Sequence, residues 1–353
     1  MNNGTKRILM GLASLAGVWA GCALSLSVKQ QKLVFNPIRI REVARPRSSG
    51  HRSRSVVLYS DDRTRLSGWL LTPVQPASQP GAVLYFGGRS EEVSWVVQDA
   101  GRLFPGMTVL VMNYRGYGDS HGIPGERQMI EDGKFLFDWL VRSREDIDRK
   151  RIAVVGRSLG SGVAVQLAVQ RPVAAVVLVT PYDSVLAVAS RRFRVMPISL
   201  LLKHRFESIK FARNITAPVL VLRAASDTVV PHFHTELLVK KLGGQVFDET
   251  IAASNHSTIP YLASTQERIA LFLGSVFTGV PAQARVSPSS MPPATGTAGV
   301  LPAGHGAGGQ APAGELTEEP VAQAADGGGA AALPLRSTSL PRAIEPPIPS
   351  SQA

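Results

Sequence analysis

The stretch that most limits what this chain can become is Gly156-Arg157-Ser158-Leu159-Gly160. It lies between an apolar run at 151–155 and a small-residue, helix-like run at 160–170. A serine held this way needs a sharp turn from strand to helix, and the backbone makes that turn only where crowding side chains are absent. Gly156 and Gly160 remove them. Ser158 is then lifted above the sheet, and the N–H of Leu159, opening the next helix at its positive end, faces the same space. The flanking strand and helix give a short pattern structural meaning, and they commit the chain to a sheet with crossover helices.

The rest of the sequence repeats that grammar. Strands are expected at 82–86, a solid apolar run, and at 108–112, 152–155, 174–179, 218–222 and 245–251, alternating with helices at 93–103, 129–141, 159–170, 234–242 and 261–273. Buried strands alternating with helices predict an α/β fold, a mostly parallel, doubly wound sheet covered on both faces. Ahead of it, 55–59 and 66–72 read as an antiparallel edge hairpin around Ser60-Asp61-Asp62-Arg63. The alternation pauses at 183–215, where Arg191, Arg192, Arg194, Lys203 and Arg205 flank an apolar group. Two short helices are expected there, either as an ordinary packed pair with a solvated basic face or as a lid over an acyl, lipid-like substrate.

A serine hydroxyl is a weak nucleophile unless a histidine accepts its proton and a carboxylate orients that histidine. His256, between the last strand and the last helix, is the histidine placed for this. His51 and His121 precede the serine, His204 is in the insertion, His232 and His234 open a helix, and His305 is in the tail. Asp227 follows the strand at 218–222 and is the expected acid, with Asp183 after the preceding strand as its competitor. A second oxyanion donor is expected from Gly87-Gly88-Arg89-Ser90, as the N–H of Arg89 beside that of Leu159. Asn113-Tyr114-Arg115-Gly116-Tyr117-Gly118 is expected to shape the pocket floor or brace loops, without direct chemistry.

At the N-terminus, Lys6 and Arg7 precede an uncharged apolar stretch at 8–27, long enough to span a membrane. A single-pass anchor (residues 1–31) is the first reading; a lipoprotein signal through Cys22 and a cleaved secretory signal are the alternatives. Basic residues on both sides leave the orientation open. The hydrolytic domain is expected at 32–280, and the Pro/Ala/Gly-rich 281–353 as a disordered tail. The single cysteine excludes an intrachain disulfide. Net charge is +12, but no nucleic-acid-binding module accompanies it, and arginines near lipid headgroups account for it better. No Cys/His spacing suggests zinc.

Together, Tyr85-Phe86-Gly87-Gly88, the 113–118 loop, the serine pentapeptide, Ser226-Asp227 and Asn255-His256 resemble the α/β-hydrolase superfamily. More narrowly, the chain is similar to its membrane-anchored, short-lid branch, which includes depalmitoylating thioesterases and bacterial relatives. The resemblance runs from about Gln31 to Phe272. It implies Ser158 as nucleophile, Asp227 as orienting acid and His256 as base, acting on a carboxylic ester or thioester through an acyl-enzyme, with no metal or organic cofactor. One departure stands out: the branch usually carries His-Gly-Asn where this chain has Gly87-Gly88-Arg89. Amide cleavage by the same triad, and a catalytically idle scaffold, are the alternative readings.

Overall fold

The computed structural model describes residues 3–40, 48–78 and 80–279. The expected tail at 281–353 lies outside them. In chain order the elements are α1 (Asn3–Val34), β1 (His51–Tyr59), β2 (Arg65–Pro73), β3 (Ala82–Phe86), α2 (Ser94–Leu103), β4 (Thr108–Met112), α3 (Glu126–Ser143), β5 (Ile152–Arg157), α4 (Leu159–Gln170) and β6 (Ala175–Val179). They continue as α5 (Val185–Arg192), α6 (Ile198–Leu201), α7 (Ser208–Phe211), β7 (Val219–Ser226), α8 (His232–Val239), β8 (Val246–Asn255) and α9 (Ala263–Thr278).

The strands form one eight-stranded sheet in the order β1-β2-β4-β3-β5-β6-β7-β8. β1 and β2 pair antiparallel, as does β2 with β4, and every other pairing is parallel. This is the expected fold. β3, β4 and β6 are buried at every residue, which explains why all but Thr108 of them are apolar: both faces meet helices. One core lies between the sheet and α3 and α4, the other between the sheet and α2 and α9.

The differences from the sequence expectation are mostly at ends. β1 begins at His51 because the polar residues 51–54 pair with 70–73 of β2; a sheet edge tolerates polarity that hides it from pattern reading. The insertion holds three short helices, α5 to α7, where two were expected. α1 does not stop with the apolar stretch but runs on to Val34, through the expected boundary at 31/32. Among the described residues no helix is long and apolar enough to cross a membrane; many side chains between 6 and 26, on which the anchor expectation rests, lie outside them.

Candidate active site

Ser158 sits between β5 and α4 with φ 48° and ψ −115°, a conformation that costs a non-glycine residue about 1–3 kcal/mol. Its N–H is held by the carbonyl of Val179 on β6 (2.9 Å). The glycines around it are required by contact. A Cβ on Gly156 would come 2.5 Å from the Gly160 oxygen, and one on Gly160 would overlap the carbonyl oxygens of Phe86 and Gly87. α4 therefore touches the backbone of the Gly87–Ser90 turn. As the first residue of α4, Leu159 carries an N–H with no partner inside its helix.

His256 follows β8 and is mostly buried. Its Nε2 lies 2.9 Å from Ser158 Oγ, and its Nδ1 lies 2.8 Å from Asp227 Oδ2. The two partners select the tautomer: Nδ1–H donates to the carboxylate, and Nε2 accepts from the hydroxyl. Asp227 is fixed in turn, its Oδ1 accepting from the N–H groups of Val229 (2.9 Å) and Val230 (2.7 Å). Asp183, the competing acid, is engaged elsewhere: its Oδ1 lies 2.8 Å from His234 Nδ1 and accepts from the Ser184 N–H at the start of α5 (2.6 Å).

In the Gly87–Ser90 turn, Arg89 lines the same cavity as Ser158 and Leu159. The Gly88 N–H points the other way, to Glu91 Oε2 (2.6 Å). The turn is also fastened to the end of α1. Phe35 O accepts from Ser90 N–H (3.2 Å) and Tyr117 Oη (2.5 Å), Asn36 Nδ2 donates to Ser90 Oγ (2.7 Å), and Arg89 Nη2 reaches Lys32 O (3.3 Å).

The 113–118 loop braces and does not form the pocket floor. Tyr114 Oη donates to Gly87 O (2.9 Å), Tyr117 is fully buried under Phe35, and Arg115 is paired with Asp132 and Asp62. None of these residues lines the cavity. Two contributions escaped the sequence reading. Glu91 is buried beside the turn, yet in sequence it is one acid before a helix. Gln30, Leu33 and Val34 of α1 line the cavity, a contact that nothing in their own stretch of sequence announces.

The cavity encloses about 490 Å³. Apolar side chains of α1 and the insertion surround it, among them Leu33, Val34, Val188, Phe193, Ile198 and Leu202, with Ser158 at its base.

The chain belongs to the α/β-hydrolase fold family, whose model matches residues 86–197. An uncharacterized protein of Mycobacterium tuberculosis is 36% identical over 234 residues, 66% of this chain and 82% of that protein. The lysophosphatidylserine lipase ABHD12 of Danio rerio is 32% identical over 175 residues, 43% of this chain and 41% of the lipase. Among solved structures, an acetyl xylan esterase from Paenibacillus sp. R4 shares the fold at a TM-score of 0.53 with 23% identity, covering 73% of this chain and 93% of the esterase.

Proposed function

We propose that this protein is a membrane-associated serine hydrolase that cleaves carboxylic esters or thioesters of an apolar acyl group. The observation that carries the reading is the unbroken relay from Asp227 through His256 to Ser158, at 2.8 and 2.9 Å. Ser158 Oγ attacks the acyl carbonyl carbon as His256 Nε2 takes its proton, and Asp227 stabilises the imidazolium. The negative oxygen is held by the N–H groups of Leu159 and Arg89. Collapse breaks the bond to the leaving alcohol or thiol, which takes the proton from His256. Water then repeats the sequence on the acyl-enzyme, giving its proton to His256, which returns it to Ser158 as the acid departs.

The apolar lining of the cavity supports an acyl chain as the part recognised. Membrane association is supported by the uncharged stretch at 8–27, and by apolar side chains left in solvent on the insertion, Val195 and Leu200, 78% and 83% exposed. They lie on the α1 side, where Trp19 Nε1 donates to Val195 O (3.1 Å).

A fluorophosphonate probe, which reacts with activated serines, tests the reading on the full-length protein in detergent. Wild type is expected to label, while Ser158→Ala and His256→Ala are not, with hydrolysis of acyl esters falling at least ~10⁴-fold in both. A folded wild type that stays unlabelled refutes it.

A further inference from the structure

Glu91 and Arg157 make a buried ion pair in the middle of the site, and the relay itself does not use it. Glu91 Oε2 and Arg157 Nη1 are 2.7 Å apart, with side chains 3% and 11% exposed. The Glu91 carboxylate accepts from four donors on separate segments: Tyr85 Oη of β3 (2.8 Å), Trp95 Nε1 of α2 (2.9 Å), the Gly88 N–H and Arg157. That meets the hydrogen-bonding capacity of an ionised carboxylate. Arg157 stands next to Ser158, and its other terminal nitrogen, Nη2, donates to the backbone carbonyl of His256 (3.1 Å). Burial opposes the arginine's charge, but the charge on Glu91 and the neighbouring tyrosines outweigh burial and hold its pKa above the usual guanidinium value.

Burying such a pair is weak support for a fold, because desolvation offsets most of the attraction. Arg157 Nε is also buried without a partner, a further cost. What the pair does supply is geometry. It holds the Gly88 N–H inward, which turns the next peptide so that Arg89 borders the cavity, and it holds the histidine loop by its backbone.

The geometry points to Glu91 and Arg157 as a positioning pair that sets the oxyanion turn and the His256 loop at a fixed spacing about Ser158. The inference rests on the serine-hydrolase reading above and adds residues that never touch substrate. Misaligning a donor costs less than deleting one, so loss of the pair is expected to lower kcat roughly ten- to a hundredfold, against ~100- to 1000-fold for a deleted oxyanion donor.

The test compares Glu91→Gln, Arg157→Lys and the double variant Glu91→Gln/Arg157→Met with wild type on a short-chain p-nitrophenyl ester, alongside thermal melts. Glu91→Gln strands a buried cation and lowers both Tm and kcat. The double variant removes both charges, so Tm recovers, but the two loops are still untied and kcat stays low with KM nearly unchanged. Arg157→Lys keeps the charge beside Glu91, but one ammonium cannot bridge to His256 O; it keeps Tm and loses kcat. Wild-type kcat in Arg157→Lys or in a folded double variant, or a loss confined to KM, overturns the inference. Wild type that fails to react with the fluorophosphonate overturns the hydrolase reading instead.

Discussion

The floor and the roof of the cavity are built to opposite standards. The floor stands on β5, whose residues up to Gly156 are buried, and Asp227, His256 and Glu91 beside it are each held by two or more partners. The roof is the end of α1 with α5 and α6, and α5 has no buried residue at all. Val34 and Ile198 are its buried apolar residues, and the rest is held by partly buried packing and a few polar ties. Ser184 caps α5 by accepting from Ala187 N–H (2.9 Å), and Gln30 donates to Leu201 O (3.3 Å) and accepts from Lys203 N–H (2.8 Å). A fully buried Val or Leu stabilises by about 1.5–3 kcal/mol, so an element without one is cheap to displace or to vary. The Ser158 side of the cavity is therefore the rigid part, and the side formed by α1 and α5 the adaptable one.

That contrast predicts a descending series of effects. The largest belongs to the floor: Gly160→Ala drives a methyl group into the carbonyls of Phe86 and Gly87. It is expected to cost about 1–3 kcal/mol of stability and to lower kcat roughly a hundredfold. A variant with wild-type melting and turnover would mean that α4 and the turn yield easily, and the floor would not be rigid. Val188→Trp in the roof is expected to leave Tm nearly unchanged and short-chain turnover intact, while kcat/KM for long acyl chains falls roughly tenfold. Equal losses for both chain lengths would place the acyl group elsewhere.

The smallest effect concerns the roof's attachment. His204 packs edge-on against Phe35 (4.9 Å) and accepts from the Glu126 N–H (3.3 Å). Burial, with Lys203 adding to it, lowers its pKa from the usual histidine value. The folded state thus binds this proton less tightly than the unfolded chain. Its contribution to stability is complete above the unfolded value, about 6.5, and is lost as pH falls below it. Melts between pH 7.5 and 5 should show His204→Gln losing less Tm on acidification than wild type, by about a degree. Identical slopes would exclude the histidine.

Legibility in the sequence divides along the same line. Ser158 and Asp227 could be read because each follows a strand whose apolar run announces it, and His256 because chain order left it as the one histidine between the last strand and the last helix. The placement of Arg89 and Leu159 at the cavity could be read from turn and helix-start logic alone. Glu91 could not, because its partners come from β3, the turn, α2 and the serine pentapeptide, and nothing local distinguishes it from an acid at a helix start. The α1 contribution was hidden for a different reason. Hydropathy ends near Ser27, whereas the helix continues because Gln30 finds partners in the insertion and Leu33 and Val34 find the cavity.

The continuity of α1 into the site bears on modularity. An N-terminal segment of this kind is usually regarded as interchangeable, a tether that any other hydrophobic segment could replace. Here the last turns of α1 are one wall of the cavity, and the residues just after them secure the Gly87–Ser90 turn. Grafting a foreign tether onto the domain at residue 32 would discard Gln30 with both of its bonds to the insertion. The end of α1 and the cavity are one structural unit, so an exchange of the N-terminal segment would also remodel the pocket.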